Sequence, residues 1–352
     1  MTTYSRLRQL PLPLQPAHAH GRYDLSAVRC DADGYLWLGS DEAAGLERLT
    51  LDGDTIGEHQ HLDLGDYLDL PDGKDEEIDI EGLAYADYYL WVAGSHSLKR
   101  KKPQPDNSSD ENMERLATLS RDENRYLLGR IPLVNGQLHH QCLHPERPEQ
   151  VLTAAQLQRK RHGNQLTKVL KKDPHLRPFL KADIPGKDNG FDIEGLAVAE
   201  DRLFVGLRGP VLRGWAILLE LQVKEKTSER LRLRQREDGH RYRKYFLDLA
   251  GMGIRDLCWQ GADLLILAGP TMALNGAIGV FRLADALDLS PSQCLTPDHL
   301  FEIPHGHDTD RAEGITLCPD PSSNLLVVYD APAPHRLNAE THSVLADVFA
   351  LE

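Results

Sequence analysis

The chain has 352 residues, 41% hydrophobic and 27% charged, with a formal net charge of −14. This apolar content supports a sizeable core, and the acidic balance argues against nucleic acid and an anionic membrane surface as partners. No run reaches the length of a membrane span, the N-terminus MTTYSRLRQLPLPLQPAHAH lacks an apolar signal segment, and Cys30, Cys142, Cys258, Cys294 and Cys318 are too scattered for a disulfide framework or zinc knuckle. A reduced, cytoplasmic protein is expected, with Cys258 and Cys318 as small core residues.

Read in chain order, one phrase recurs. SAVRCDADGYLWLGSD, from Ser26, is a strand, a turn at Asp31-Ala32-Asp33-Gly34 and a second strand, followed by GLERLTL at 45–51. GKDEEIDIEGLA starts at Gly73 and leads into EGLAYADYYLWVAGS from Glu81. Strand candidates follow at 126–133 and 137–143. GKDNGFDIEGLA then starts at Gly186, identical to the earlier phrase at nine of twelve positions, and EGLAVAEDRLFVGLRG follows from Glu194. Later copies are RDLCWQGADLLILAGP from Arg255 and EGITLCPDPSSNLLVVYD from Glu313; further strands are expected at 215–223, 276–283 and 343–351. The turns carry hairpin punctuation residues, among them Ala86-Asp87, Glu200-Asp201, Gln260-Gly261 and Pro319-Asp320-Pro321-Ser322.

Short strands in groups of four, repeating at about sixty residues, predict an all-β propeller spanning 1–352 as one domain. Five units are visible and a sixth is allowed. TYSRLRQL or SVLADVFAL is expected to close the ring from the opposite terminus, removing exposed edges. Insertions are expected on one face at about 97–125 and 148–180. The second reads as helical, with Leu152, Leu157, Leu166 and Leu170 packing and Gly163 as a break.

In this architecture the repeated phrase starts each inner strand, so aligned copies place Ser26, Glu81, Glu194, Arg255 and Glu313 around one axis at a channel mouth. Asp79 and Asp192 join them, as do the second-strand ends Gly39-Ser40-Asp41, Gly94-Ser95-His96, Leu207-Arg208-Gly209, Gly269-Pro270 and Asp330. Clustered carboxylates repel one another in a low dielectric. Two compensations are open: Arg255 as counter-charge forking between carboxylates, or Ca²⁺ or Mg²⁺ held by Asp79, Glu81, Asp192, Glu194 and Glu313, with neutral oxygens from Asn189 and Asn275. His96 is a candidate general base, and Lys99, Arg100, Lys101 and Arg208 are candidate anion-binding residues, with Lys102 and Arg159-Lys160-Arg161 extending the basic flaps. HGHDTDRAEG offers His305, His307, Asp308 and Asp310 as weaker ligand candidates, an exposed acidic loop being the plainer reading. No nucleophile elbow, P-loop or dinucleotide fingerprint is present.

The D-x-E-G-[LI] openings followed by LWVAGSHS, LFVGLRG and LLVVYD resemble a bacterial propeller family known as domain of unknown function 3616, over roughly residues 22–335. The phrase is more distantly similar to the D-P-E-G opening of phytase-like, esterase-type propellers, with Ile80 and Ile193 in place of proline. It also resembles the E-G opening of gluconolactonase and regucalcin-type propellers, with Leu83, Leu196 and Ile315 where proline follows. The last resemblance implies that Glu81, Glu194 and Glu313 bind a divalent metal. Two functions are therefore expected in competition: a metal-dependent hydrolase of a small anionic ester (phosphoester or lactone) with Glu81, Glu194, Glu313 and His96 as catalytic candidates, or a non-catalytic scaffold that binds a protein or small ligand.

Overall fold

The computed structural model describes residues 6–53, 55–290, 293–318 and 324–351. Each apolar phrase forms a strand, and consecutive strands pair into antiparallel units. The first unit comprises Leu25–Cys30, Tyr35–Ser40, Gly45–Asp52 and Thr55–Asp63; the second, Ile80–Ala86, Tyr89–Gly94, Leu128–Val134 and Ala155–Leu157. The third contains Asp192–Ala199, Arg202–Leu212, Trp215–Thr227 and Tyr242–Asp248, and the fourth Gly253–Gln260, Asp263–Gly269, Ile278–Leu283 and Asp298–Ile303. The fifth joins Arg311–Leu317, Asn324–Asp330 and Ser343–Ala350 to Arg6–Pro13 from the other end of the chain. Both terminal candidates thus meet in one sheet, where Leu10 pairs with Ala346 and Leu12 with Val344.

The opening strand of each unit packs against those of the units before and after it. Leu25–Cys30 touches both Ile80–Ala86 and Arg311–Leu317, so the ring closes. This is a β-propeller. Side chains alternate across each strand, and here both faces are covered: Leu83 enters the core shared with the first unit, while Ala84 enters the core shared with the third. Trp37 and Leu38 divide in the same way between the second and fifth units. Local chemistry sets the hairpins. Asp31 accepts from the amides of Asp33 (3.0 Å) and Tyr35 (2.9 Å), and from the Trp37 indole at 2.8 Å. The expected turn at 319–322 lies outside the described residues.

Every inner strand breaks its ladder at an equivalent place, and Asp192–Ala199 breaks a second time between Asp192 and Ile193. The equivalent shifts fall at Ser26, Glu81, Glu194, Arg255 and Glu313, between Leu25 and Ala27, Ile80 and Gly82, Ile193 and Gly195, Ile254 and Asp256, and Ala312 and Gly314. A β-bulge leaves one residue unpaired and re-aims its side chain. The five positions aligned from sequence are therefore the five bulged residues. The following glycine has its own reason. A Cβ on Gly82 would lie 2.7 Å from Leu196 Cβ and 3.2 Å from the Leu196 amide nitrogen. Glutamate at the bulge and glycine beside it are two demands of one crowded axis.

The insertions differ in part from expectation. Residues 97–125 do form a loop between second and third strands, with a short ladder of Lys99–Arg100 on Leu119–Ser120 and the helix Ser109–Ala117, whose Ser108 and Glu111 form a capping box. The second segment is not uniformly helical. Val151–Thr153 and Ala155–Leu157 are strands, and only Gln165–Leu170 and Arg177–Lys181 are helices. All four named leucines are buried, but Leu152 and Leu157 are buried from strands. The cause is tertiary: Ala155–Leu157 completes the second unit, and Gln156 and Leu157 pair in parallel with Arg230 and Leu231, from a hairpin extending the third unit's long strand. That pairing fuses the two units into one sheet and covers an edge. Gly163 sits in a two-residue strand, not at a helix break.

Gly82→Ala is expected to lower unfolding stability by about 1–3 kcal/mol, the usual range for overpacking. Urea unfolding measures it, and an unchanged midpoint would mean that the axis is not crowded at Gly82.

Candidate functional site

The bulges bring Ser26, Glu81, Glu194, Arg255 and Glu313 to one end of the ring, and the loops around them add charge. The two sides of this mouth are not alike. On the side of the third to fifth units, Glu194 and Glu313 are paired with arginines. Arg208 donates to Glu194 and, at 3.0 Å, to the Thr271 carbonyl. Arg255 donates to Glu313 at 2.5 Å and to the Pro270 carbonyl at 2.9 Å, and lies 3.3 Å from the second oxygen of Glu194. Arg255 thus forks between Glu194 and Glu313. Burial alone would raise the carboxyl of Glu313; Arg255, Arg208 and Lys187 outweigh it and hold the group below its ordinary range.

The side of the first two units is short of positive charge. Asp41, Asp79 and Glu81 each offer an oxygen within 4.8 Å of the others. Asp79 is tied to Arg125, which also reaches Glu77 and the Ser97 hydroxyl. Glu81 is 6% exposed and has no hydrogen bond or ion pair among the described residues. One oxygen each of Asp41 and Asp192 is buried without a hydrogen-bond partner. Burial, then repulsion from Glu194, Asp79, Glu313 and Asp41, pushes the Glu81 carboxyl well above its ordinary value. Burial, followed by Asp79, Glu313 and Asp330, raises Asp41 to about 8. Burial and Glu194 raise Asp192 to about 7, and burial and Glu313 do the same for Asp330. Lys187, exposed and without an ion pair among the described residues, lines the mouth with Arg208, Arg255 and Glu313; desolvation and Arg208 disfavour its ammonium, but Glu313, Asp41 and Glu81 outweigh them.

A floor lies below. Arg29 sends one nitrogen to the Leu83 carbonyl at 2.9 Å and another to the Leu257 carbonyl at 2.7 Å, spanning from the first unit to the second and fourth. It lies 3.7 Å from Asp256, which accepts from the amides of Leu257 and Ile315. At the mouth itself, a cavity of about 30 Å³ is lined by Lys187, Arg208, Arg255, His305, Glu313 and Asp330, space for about one water.

Several expected roles are not supported by this placement. His96 is buried with both ring nitrogens engaged, Nδ1 on the Gly94 carbonyl and Nε2 on the Asn164 amide, each at 2.7 Å. Burial drops its pKa to about 4, so the ring is a neutral packing element and not a base facing the axis. Asn275 lines the mouth cavity with Glu313 and Asp330, but it is exposed and its side chain is spent exchanging hydrogen bonds with Asp308. Asn189 spends its oxygen on the Val211 amide. Lys99 is held by Glu77 and Arg100 by Asp188, so these two, with Lys101, line a rim cleft beside the cluster and not the cluster itself. Arg208 is committed to Glu194, and Arg159 pairs with Asp69. His307 is exposed beside Asp308, whereas Asp310 braces Arg336 at 2.8 Å and the Ala333 amide at 2.7 Å.

Other residues enter the site with no chemical role assigned to them from the sequence, although Asp41 and Asp330 are among those expected at the mouth. Asp41 and Asp330 stand at second-strand ends, a signal visible in the alignment of copies. Lys187 lies inside the repeated GKD phrase. Arg29 and Asp256 are charges inside otherwise apolar strands. Arg125, at the end of an insertion, carried no signal.

These features define a β-propeller with a mouth crowded by carboxylates and partly neutralised by arginine. Residues 24–347 match the family described as "Protein of unknown function (DUF3616)", and the chain belongs to that family. No curated protein matches it. Among solved structures, it is similar to glutaminyl cyclase of Myxococcus xanthus at 11% identity and TM-score 0.42, covering 99% of this chain and 97% of that one. It is similar to the PQQ-bound aldose sugar dehydrogenase of Streptomyces coelicolor at 12% identity and TM-score 0.41, covering 99% and 98%. The β-propeller domain of Cps50 (Swd1) from Myceliophteria thermophila matches at 8% identity and TM-score 0.37, covering 99% and 100%. No helix among the described residues is long and apolar enough to cross a membrane.

Two outcomes follow from these charges. Arg255→Met leaves Glu313 buried and unpaired and is expected to cost about 3–5 kcal/mol, much of it recovered in Arg255→Met/Glu313→Met; chemical denaturation of the single and double variants decides. Asp41 and Asp192 hold protons in the folded chain where the unfolded chain has released them. Folding therefore takes up protons between their ordinary 3.8 and about 8 and 7. Stability of chelator-treated protein should fall as pH rises through this window, and Asp41→Asn should flatten the slope in melts from pH 5 to 8.

Proposed function

We propose that the mouth holds a hard divalent cation, Ca²⁺ or Mg²⁺, between Asp41, Asp79 and Glu81, and that the chain uses it as a hydrolase of a small anionic ester. The observation that carries this reading is Glu81: a carboxylate that is buried, unpaired, and gathered with two others, one of which has an orphaned oxygen. Only protons or a cation relieve such a gathering. An all-oxygen donor set suits a hard cation. Glu194 and Glu313 are spent on arginines and stand outside this ligand set.

When bound, such an ion polarises a substrate oxygen and acidifies water. The chain's own residues supply the rest. Lys187 has a free ammonium to draw and orient the anion. Asp192, with an unpartnered oxygen and a pKa raised to about 7, is poised to accept a proton near neutral pH. Arg208 and Arg255 keep the opposite wall rigid and neutralised.

A non-catalytic binding scaffold has one observation in its favour: beside Arg255 the mouth has room for about one water.

The test pairs thermal melts with a turnover screen. Excess Ca²⁺ or Mg²⁺ should raise the melting temperature of chelator-treated protein by several degrees through linkage, and Glu81→Gln should abolish that rise. Phosphoesters and lactones are then screened, with Glu81→Gln as the control. A melt indifferent to both ions would end the cation reading. A cation-dependent melt with no turnover would leave the scaffold.

A further inference from the structure

A second cluster lies apart from the three carboxylates proposed to hold the cation. After Arg6–Pro13 is paired into the fifth unit, the chain must cross to the first. It does so through the 3₁₀ segment Pro16–Tyr23, PAHAHGRY, which follows the Leu14 amide bound to the His342 carbonyl at 3.1 Å. The crossing carries His18 over the outer strands of the first unit. There Glu47 and His61 are direct ladder partners, and His59 shares the face of His61 two residues away. Glu47 faces His61 Nδ1 at 2.8 Å and His59 Nε2 at 2.6 Å. The His18 ring lies on that of His61, centroids 3.9 Å apart and 10° from parallel.

We propose that His18, Glu47 and His61 form a binding site for a divalent transition metal of the zinc class, pinning the crossing segment to the first unit. Three observations carry this. Each residue offers a ligand atom within 4.8 Å of the other two. The donors are two imidazoles and one carboxylate, a set that suits zinc and its neighbours and not Ca²⁺ or Mg²⁺. The supporting contacts are those of a metal site, in which ligands are oriented by outer partners. His61 places Nε2 3.2 Å from Asp63, directing Nδ1 inward. Glu47 is steadied by His59, whose other nitrogen accepts from the Gln15 amide at 3.0 Å. The side chain of His61 is 21% exposed and that of Glu47 12%, which leaves an entry path. A metal takes the place of the proton now shared by Nδ1 and Glu47. His18 must swing out of the stack to aim its lone pair at the same point, and its position on a half-buried surface turn allows this.

Equilibrium dialysis of the full chain against Zn²⁺ tests the site, with metal read by elemental analysis. The wild-type protein should take up zinc, and affinity should fall at least about tenfold in His18→Ala and in His61→Ala, the scale on which disturbed metal sites lose binding. Glu81→Gln should retain uptake, which separates this site from the mouth. Circular dichroism checks each fold; should His61→Ala unfold, His18→Ala decides alone. A wild-type chain that takes up no zinc, or a folded His18→Ala that loses less than tenfold, would overturn the proposal.

Discussion

Everything at the mouth follows from crowding inner strands around one axis. Strands that meet there cannot all keep regular ladders and full side chains. The chain answers with a β-bulge and, beside it, a residue with little or no side chain: Ala27, Gly82, Gly195 and Gly314. The bulge turns one side chain toward the axis, and the missing side chain lets the neighbouring strand pass. The fourth unit departs from this pattern with Asp256, and the departure has a use. Its carboxylate accepts two backbone amides and faces Arg29, so a polar group stands where the other copies have almost nothing. Arg29 and Asp256 then tie inner strands of four units together and close the floor.

Concentrating bulged side chains creates an electrostatic problem that the ring solves on one side only. Where Arg208 and Arg255 reach in, Glu194 and Glu313 are paired. Where only Arg125 reaches in, Glu81 and Asp41 remain without partners, and the cost appears as raised pKa values. A charge distribution this lopsided is a poor way to stabilise a fold, since protonation or a bound ion must complete it. The asymmetry, more than the number of carboxylates, is what directs attention to Asp41, Asp79 and Glu81.

Ring closure is the second demand. The chain's ends meet in the fifth unit, and the segment that follows the first strand must span to the first unit without a sheet of its own. That span is held by Leu14 in the apolar seam and by contacts to His59. It is also where His18 arrives against Glu47 and His61, a meeting that no local spacing foretells.

By itself the sequence determined the repeat, the hairpin turns and the five positions that face the axis. These are legible because they depend on period and on turn chemistry close along the chain. The departures came where distant segments decided. Val151–Thr153 became strand on Gln141–Leu143, and Ala155–Leu157 because the second unit and a hairpin from the third offered it partners. His96 lost its apparent freedom because Asn164, sixty-eight residues away, took its second nitrogen. Glu81, Glu194 and Glu313 stand at equivalent places in their copies, and only the tertiary structure made them different, by sending arginines to two of them and none to the third. Charge pairing is settled by which side chains meet in space, and the copies of a repeat do not record that.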